Sequence, residues 1–332
     1  MFRKPALAAT LGLAAAMFGL SASAQEVEWK YYTYFGANDK PTQLHREFAA
    51  DVEAASGGRL KIDVYAGGEL PYKAPDVLKA VATNQVQMGD VAIGFVAGDV
   101  PELNALAMPF VCTSIDKFYD KAAGAAEPYV DDVFSNRFRS VALMQWVMPP
   151  QQLWLREPVD GIDALKNLKI RAWNREQVQV MQLLGGSGVT ITPAEVIPAL
   201  QRGVVDGAFT AAVPALDWKF HEVTDYGFMM SLTLAHQVAT VNQGAFDKLP
   251  ADLQQLLRDK AAEWAPKYRQ AMLDGDRIAR EKLIEAGMTL HDVTPEELER
   301  LRTVTRPMWD EWANQNGDTA KQMLAEVASA CQ

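Results

Sequence analysis

The chain has 332 residues, 49% of them hydrophobic and 22% charged, with a formal net charge of −10. An acidic whole without a basic run argues against a polynucleotide-binding surface but leaves an anionic small ligand open, because a pocket is governed by its local donors. Two cysteines, Cys112 and Cys331, are too few for a disulfide scaffold. In an oxidising compartment they bridge, or Cys112 remains a small buried thiol in the apolar run Met108-Pro-Phe-Val-Cys; spacing does not decide.

At the N-terminus Arg3 and Lys4 precede an apolar run from Ala6 to Leu20, followed by the small-residue site Ala22-Ser23-Ala24. This is the pattern of a secretory signal peptide over residues 1–24, cleaved before Gln25 and sending the product to the periplasm. Two basic residues leave with it, so the remaining 308 residues carry −12 and suffice for two domains, each with its own core. No later stretch reaches the roughly 18 apolar residues that cross a bilayer. No cysteine follows the apolar run to take a lipid.

Strands and helices then alternate. Val27–Tyr34 reads as a strand, Gln43–Ser56 as a helix on Leu44, Phe48, Val52 and Ala55 closed by Gly57-Gly58, and Leu60–Ala66 as a second strand. Strand, helix, strand with short connections favours a parallel sheet. Helix Pro75–Asn84, strand Val86–Ile93, the loop Gly94–Pro101, a helical region from Ile115 to Phe138 and strand Ser140–Val147 follow. Pro149-Pro150 marks a crossing into a second domain.

There the pattern restarts with strand Leu168–Trp173, helix Glu176–Leu184 and strand Val189–Ile191. Thr192-Pro193-Ala194-Glu195 has the form of a capping box opening a helix to Gln201, and a strand ends at Phe209. Val238–Asn242 reads as one more strand. Pro250–Ala286 is one long helix or two in tandem, and about 35 residues at 1.5 Å each span about 50 Å, enough to brace two domains.

The stretch Asn167–Asn174 carries the clearest binding signal. On a period of two, Lys169, Arg171 and Trp173 share one face and Leu168, Ile170 and Ala172 the other. An arginine fork holds a carboxylate by two parallel charge-assisted bonds and a tryptophan adds a flat apolar wall, so the pair suits an organic acid. The competing reading is a half-exposed edge strand with Trp173 over the guanidinium in a cation–π contact. Ligands of open α/β sheets bind beyond the carboxyl ends of strands and at domain interfaces. That rule gathers Arg171, Trp173 and Thr210 with Trp146 and Gln151 at the crossing and Tyr34 and Phe35 at the end of the first strand. For the aromatic residues ordinary core packing is the alternative.

Catalytic signatures are missing. Gly185-Gly-Ser187-Gly-Val189 has valine where a nucleophile elbow needs glycine, and His45, His221, His236 and His291 lie far apart without zinc spacing. There is no phosphate-cradling glycine loop, so no catalytic residue, metal or cofactor is assigned.

Ser56-Gly-Gly-Arg-Leu-Lys-Ile62, Gly68-Glu-Leu70, Ala107-Met-Pro-Phe-Val111, Leu165-Lys-Asn-Leu-Lys-Ile-Arg171 and Pro198-Ala-Leu-Gln-Arg-Gly-Val-Val-Asp-Gly207 recur in a familiar order. In order and spacing this resembles the solute-binding proteins of tripartite ATP-independent periplasmic (TRAP) transporters, the C4-dicarboxylate-binding, DctP-like family, over nearly the whole mature chain. The resemblance implies an α/β fold as a two-lobed periplasmic clamp with a long helix bridging the lobes. Lobe I would hold residues 25–148 plus about 240–279, and lobe II residues 149–239 plus about 280–332.

The resemblance also implies that Arg171 anchors the carboxylate, with Asn174 matching the family beside it. Trp173 stands where aromatic residues occur in members taking aromatic or oxo acids. Sialic-acid-binding members have a second arginine and an asparagine where this chain has Gln151 and Thr210, which disfavours sialic acid. The implied function is capture of a small aromatic, 2-oxo or hydroxy monocarboxylate by a monomer that delivers it to a TRAP membrane permease. A periplasmic enzyme acting on a similar acid and the receptor of an ATP-driven importer are the alternatives.

Overall fold

The computed structural model describes residues 27–332, and the signal-peptide segment lies outside the described residues. The strands are β1 (Val27–Tyr32), β2 (Leu60–Tyr65), β3 (Met88–Ala92), β4 (Ser140–Met148), β5 (Gln152–Leu155), β6 (Lys169–Ala172), β7 (Ser187–Thr190), β8 (Gly207–Thr210), β9 (Tyr226–Met229), β10 (Ala235–Asn242) and β11 (Thr289–Asp292). They form two sheets, ordered β2-β1-β3-β10-β4 and β11-β9-β5-β8-β6-β7. The architecture is mixed α/β.

Parallel pairing of β1 with β2 and β3 follows from the strand–helix–strand order, in which Lys40–Ala55 is the first helix. Gly57 and Gly58 end it at φ of +64° and +79°, a left-handed turn that glycine enters without steric penalty. The sheets are nevertheless not wholly parallel. β10 runs antiparallel to β3 and β4, and β5 antiparallel to β8 and β9. Each is the first strand after a crossing between the sheets, of three and five residues, so each enters its sheet from the other one. β5, β9 and β11 were not legible as strands, being four-residue segments without a distinct period.

The two crossings, at residues 149–151 and 230–234, are bonded to each other. The Gln151 N–H donates to the Thr233 carbonyl at 2.8 Å and the Leu232 N–H to the Gln151 carbonyl at 2.9 Å. The Pro149-Pro150 break is therefore one strand of a two-segment link. A third connection is the single helix Ala251–Glu285, which stays continuous through Pro266 and packs on elements of both sheets. Its buried stripe of Leu253, Leu257, Ala261, Trp264, Tyr268, Met272, Ala279 and Leu283 has helical spacing throughout.

Thr192 takes the N-cap position of the helix Pro193–Gln201, but its hydroxyl donates to the Glu195 carboxylate at 2.7 Å instead of capping an N–H, so the two side chains bond each other and the expected box does not form. A complete capping box forms at Thr294 and Glu297.

The C-terminal helix Pro307–Ala330, kinked at Gly317, packs against residues 101–107 and 123–138 on the side of the first sheet. Of the residues beyond about 280 that the resemblance assigns to lobe II, β11 joins the second sheet, while this helix packs mainly on the first-sheet side and adds Met308 to the core of the second. A Cys112–Cys331 disulfide fastens it, with a Cα separation of 5.3 Å across 219 residues of sequence. Closing so long a loop restricts the unfolded chain, so the double Cys→Ser variant should lose about 2–4 kcal/mol of stability. A lowered urea midpoint is the expected reading, and an unchanged one would show that helix packing alone holds the C-terminus.

Candidate functional site

β6 lies inside its sheet, parallel to β7 on one side and β8 on the other. Ile170 and Ala172 fill one face, Arg171 and Trp173 the other, and all four are buried. The edge-strand reading therefore does not hold. The Arg171 side chain is 2% exposed, with Nε donating to the Ile191 carbonyl at 2.9 Å and Nη1 to the Phe209 carbonyl at 2.7 Å. Two main-chain dipoles thus aim the fork, but no carboxylate among the described residues offsets its charge. Burial pushes its pKa down to about 9, opposed by the Tyr34 phenol.

Beside it runs a ladder of rings. Trp173 meets Phe95 edge-on at 5.3 Å, Phe95 meets Tyr34 edge-on at 5.3 Å, and Tyr34 leans on Phe35 at 4.3 Å. The Tyr34 hydroxyl donates to Gln237 Oε1 at 3.0 Å. Trp173 also lies so close over Gly94 that a Cβ there would stand 2.4 Å from the ring. The ladder joins Arg171 on β6 and Trp173 just after it to Gln237 on β10 and to Tyr34 and Phe95, which follow β1 and β3. Phe95 and Gln237 were not anticipated: Phe95 sits in an aperiodic loop, and β10 is buried along both faces, so alternation does not single out Gln237.

Asn174 caps the helix Arg175–Leu183, its Oδ1 accepting from the Gln177 N–H at 3.0 Å, while its Nδ2 is buried without a partner. Thr210 ends β8 next to Phe209 and pairs in register with Gln152, which brings Gln151 alongside. The Gln151 amide donates to the Pro149 carbonyl at 3.4 Å. Trp146 and Phe35 lie further back, with ring centroids 6.2 Å apart. Trp146 is fully buried and donates to Asp90 Oδ1 at 3.0 Å, so the structure places it in packed core behind the ladder. His236 is likewise enclosed, 2.9 Å from Gln145 Oε1, and burial pushes its pKa down to about 3. Among the described residues no group of three or more His, Cys, Asp and Glu is arranged to hold a metal ion.

A second junction ties the two halves of the chain. The Trp218 indole donates to Asp39 Oδ2 at 3.0 Å, and the Lys40 N–H donates to Asp217 Oδ2 at 3.0 Å. Burial pushes the Asp217 carboxyl up to about 6, with the Lys40 N–H opposing and the Asp39 charge adding to it. A folded pKa above the ordinary 3.8 means that this group's stabilisation is complete below about 3.8 and is lost as pH rises through about 6. Asp217→Asn keeps an acceptor for the Lys40 N–H. It should flatten the change in denaturation midpoint between pH 4 and pH 7 relative to wild type, and identical profiles would remove Asp217 from the account.

The profile of bacterial extracellular solute-binding protein, family 7 (DctP), matches residues 33–316. A solute-binding protein of Albidiferax ferrireducens is 25% identical over 290 residues, covering 84% of this chain and 83% of its own. In structure the chain is similar to an extracytoplasmic solute receptor of Bordetella pertussis binding pyroglutamic acid, with 26% identity, a TM-score of 0.86 and coverage of 91% of this chain and 100% of that one. It is also similar in fold to a TRAP periplasmic solute-binding protein from Chromohalobacter salexigens with bound D-glucuronate, at 21% identity and a TM-score of 0.84, covering 91% and 99%. Two sheets linked by short crossings and a bracing helix are the two-lobed fold of those receptors. With the profile spanning most of its length, the chain belongs to family 7 of the bacterial extracellular solute-binding proteins.

Proposed function

We propose that this protein is a periplasmic receptor that captures a small organic monocarboxylate between its lobes and delivers it to a TRAP-type membrane permease. The observation that carries this reading is the Arg171 guanidinium, buried, aimed by two carbonyls and unmatched by any carboxylate among the described residues. A ligand carboxylate would complete it by a bidentate pair, with the free Asn174 Nδ2 as a further donor. Trp173, Phe95 and Tyr34 supply the apolar wall, and Gln151 and Thr210 the neighbouring polar groups.

The relatives support a carboxylate, since pyroglutamic acid and D-glucuronate are both acids. Their family is one of solute receptors, which favours capture over catalysis. The first sheet with the C-terminal helix forms one lobe and the second sheet the other. They part about residues 149–151 and 230–234 to admit the ligand, which favours the closed form because only there does it touch both lobes.

Thermal-shift screening against a carboxylate library tests the proposal. A ligand at 100 times its dissociation constant adds about 2.7 kcal/mol of stability, which raises the melting temperature measurably. Monocarboxylates with a flat or apolar body should dominate the hits and be recovered unchanged. Stabilisation by polyols alone, or conversion of a bound acid to product, would overturn the reading.

A further inference from the structure

The link between the lobes has a further segment that neither crossing supplies. The Phe110 N–H donates to the Leu232 carbonyl at 2.8 Å, and the Leu234 N–H donates to the Cys112 carbonyl at 3.3 Å. The 230–234 crossing is therefore bonded on one side to residue 151 of the other crossing and on another to residues 110–112 of the first lobe. Gln151, one of the polar groups proposed beside the ligand, stands within this ribbon.

The backbone shows that the ribbon is held. Phe110 has φ of +60° and Ser231 φ of +49°, a left-handed conformation that side-chain-bearing residues keep only where their surroundings impose it. For Ser231 the Gln152 amide does so, its Oε1 accepting from the Ser231 N–H at 2.8 Å and its Nε2 donating to Ser231 Oγ at 3.2 Å. The Phe110 ring packs against the core of the second sheet.

Behind Phe110 and Cys112 stands the C-terminal helix. The Trp309 indole donates to the Pro109 carbonyl at 2.9 Å, Lys117 Nζ donates to the carbonyls of Cys331 and Gln332 at 3.0 and 2.8 Å, and the disulfide joins Cys112 to Cys331. A cavity of about 440 Å³ separates Thr113 and Lys117 from Arg302 and Arg306 there. A few discrete links thus carry the connection instead of close packing, and of them the disulfide is covalent and does not open with thermal motion.

We infer that the Cys112–Cys331 disulfide is a hinge clamp, which holds residues 110–112 against the 230–234 crossing and so limits how freely the lobes part. The inference rests on the reading that the lobes part about the two crossings, and it adds a control on that motion from the far end of the chain.

Hydrogen exchange of the ligand-free protein tests the clamp. In Cys331→Ser the amides of Phe110, Gln151, Leu232 and Leu234 should exchange at least about tenfold faster than in wild type, while amides of β1 and β3, which need global unfolding to exchange, stay protected over the same minutes. The double Cys→Ser variant should match it, because the effect comes from the missing bond and not from a lone thiol. Trp309→Phe keeps the disulfide and should move these amides less. Small-angle scattering of the same ligand-free proteins should give a larger radius of gyration without the disulfide. Unchanged exchange at the four amides in both cysteine variants, or equal acceleration across β1 and β3, overturns the clamp. Acceleration confined to the four amides with an unchanged radius overturns instead the lobe motion on which the inference rests.

Discussion

Arg171→Ala should bind the receptor's carboxylate ligand at least about 30-fold more weakly than wild type, and Arg171→Lys nearly as poorly. Truncating one partner of a buried, hydrogen-bonded charge pair costs roughly 2–5 kcal/mol, much of it for leaving the other charge enclosed and unpaired. Lysine keeps the charge but not the planar fork, and the carbonyls of Ile191 and Phe209 are spaced for a guanidinium. The unliganded protein should respond differently. With no carboxylate beside it, the Arg171 charge opposes burial, which is what its lowered pKa expresses. Arg171→Met, which keeps the aliphatic stem, should therefore leave the melting temperature of the empty protein near the wild-type value. Wild-type affinity in calorimetry of Arg171→Ala would remove the centre of the functional account.

Asp90→Ala should destabilise the protein by about 3–5 kcal/mol, the range for breaking a buried ionic network by removal of one member. Asp90 is fully buried. Its Oδ1 accepts from the Trp146 indole at 3.0 Å, while Oδ2 accepts from Thr33 Oγ1 at 3.2 Å and lies 3.2 Å from His45 Nε2. The other ring nitrogen of His45 is bonded to the hydroxyls of Tyr31 and Tyr268. Burial, and after it the Asp90 charge, raises the pKa of both phenols well above the ordinary value.

Without Asp90 the indole, the Thr33 hydroxyl and the imidazole would lose their partner in a site too enclosed for solvent to replace it. Tyr268 belongs to the long helix, so the same change loosens the brace from the first sheet. Asp90→Asn keeps one acceptor and should be milder. A urea midpoint for Asp90→Ala equal to wild type would show the network to be incidental.

The position of this network explains the fate of one sequence expectation. Trp146 ends an apolar strand ahead of the Pro149-Pro150 crossing, and from spacing alone a site wall and a core residue look the same. Its indole partner, Asp90, lies 56 residues earlier on a strand that pairs with β10, not with β4. Phe95 shows the converse. Its loop carries no period, yet folding brings it between Tyr34 and Trp173, which lie 139 residues apart.

The sequence by itself determined the local elements and their chemistry. The long helical stripe, the glycine pair ending the first helix, the proline break between the halves and the arginine and tryptophan sharing one strand face all follow from periods and dihedral preferences that act over a few residues. Tertiary structure alone decided the rest. Antiparallel β5 and β10 depend on which sheet the chain crosses into, and the disulfide depends on where the C-terminal helix packs. Each is a contact between residues far apart in sequence, and a short-range pattern holds no information about such contacts.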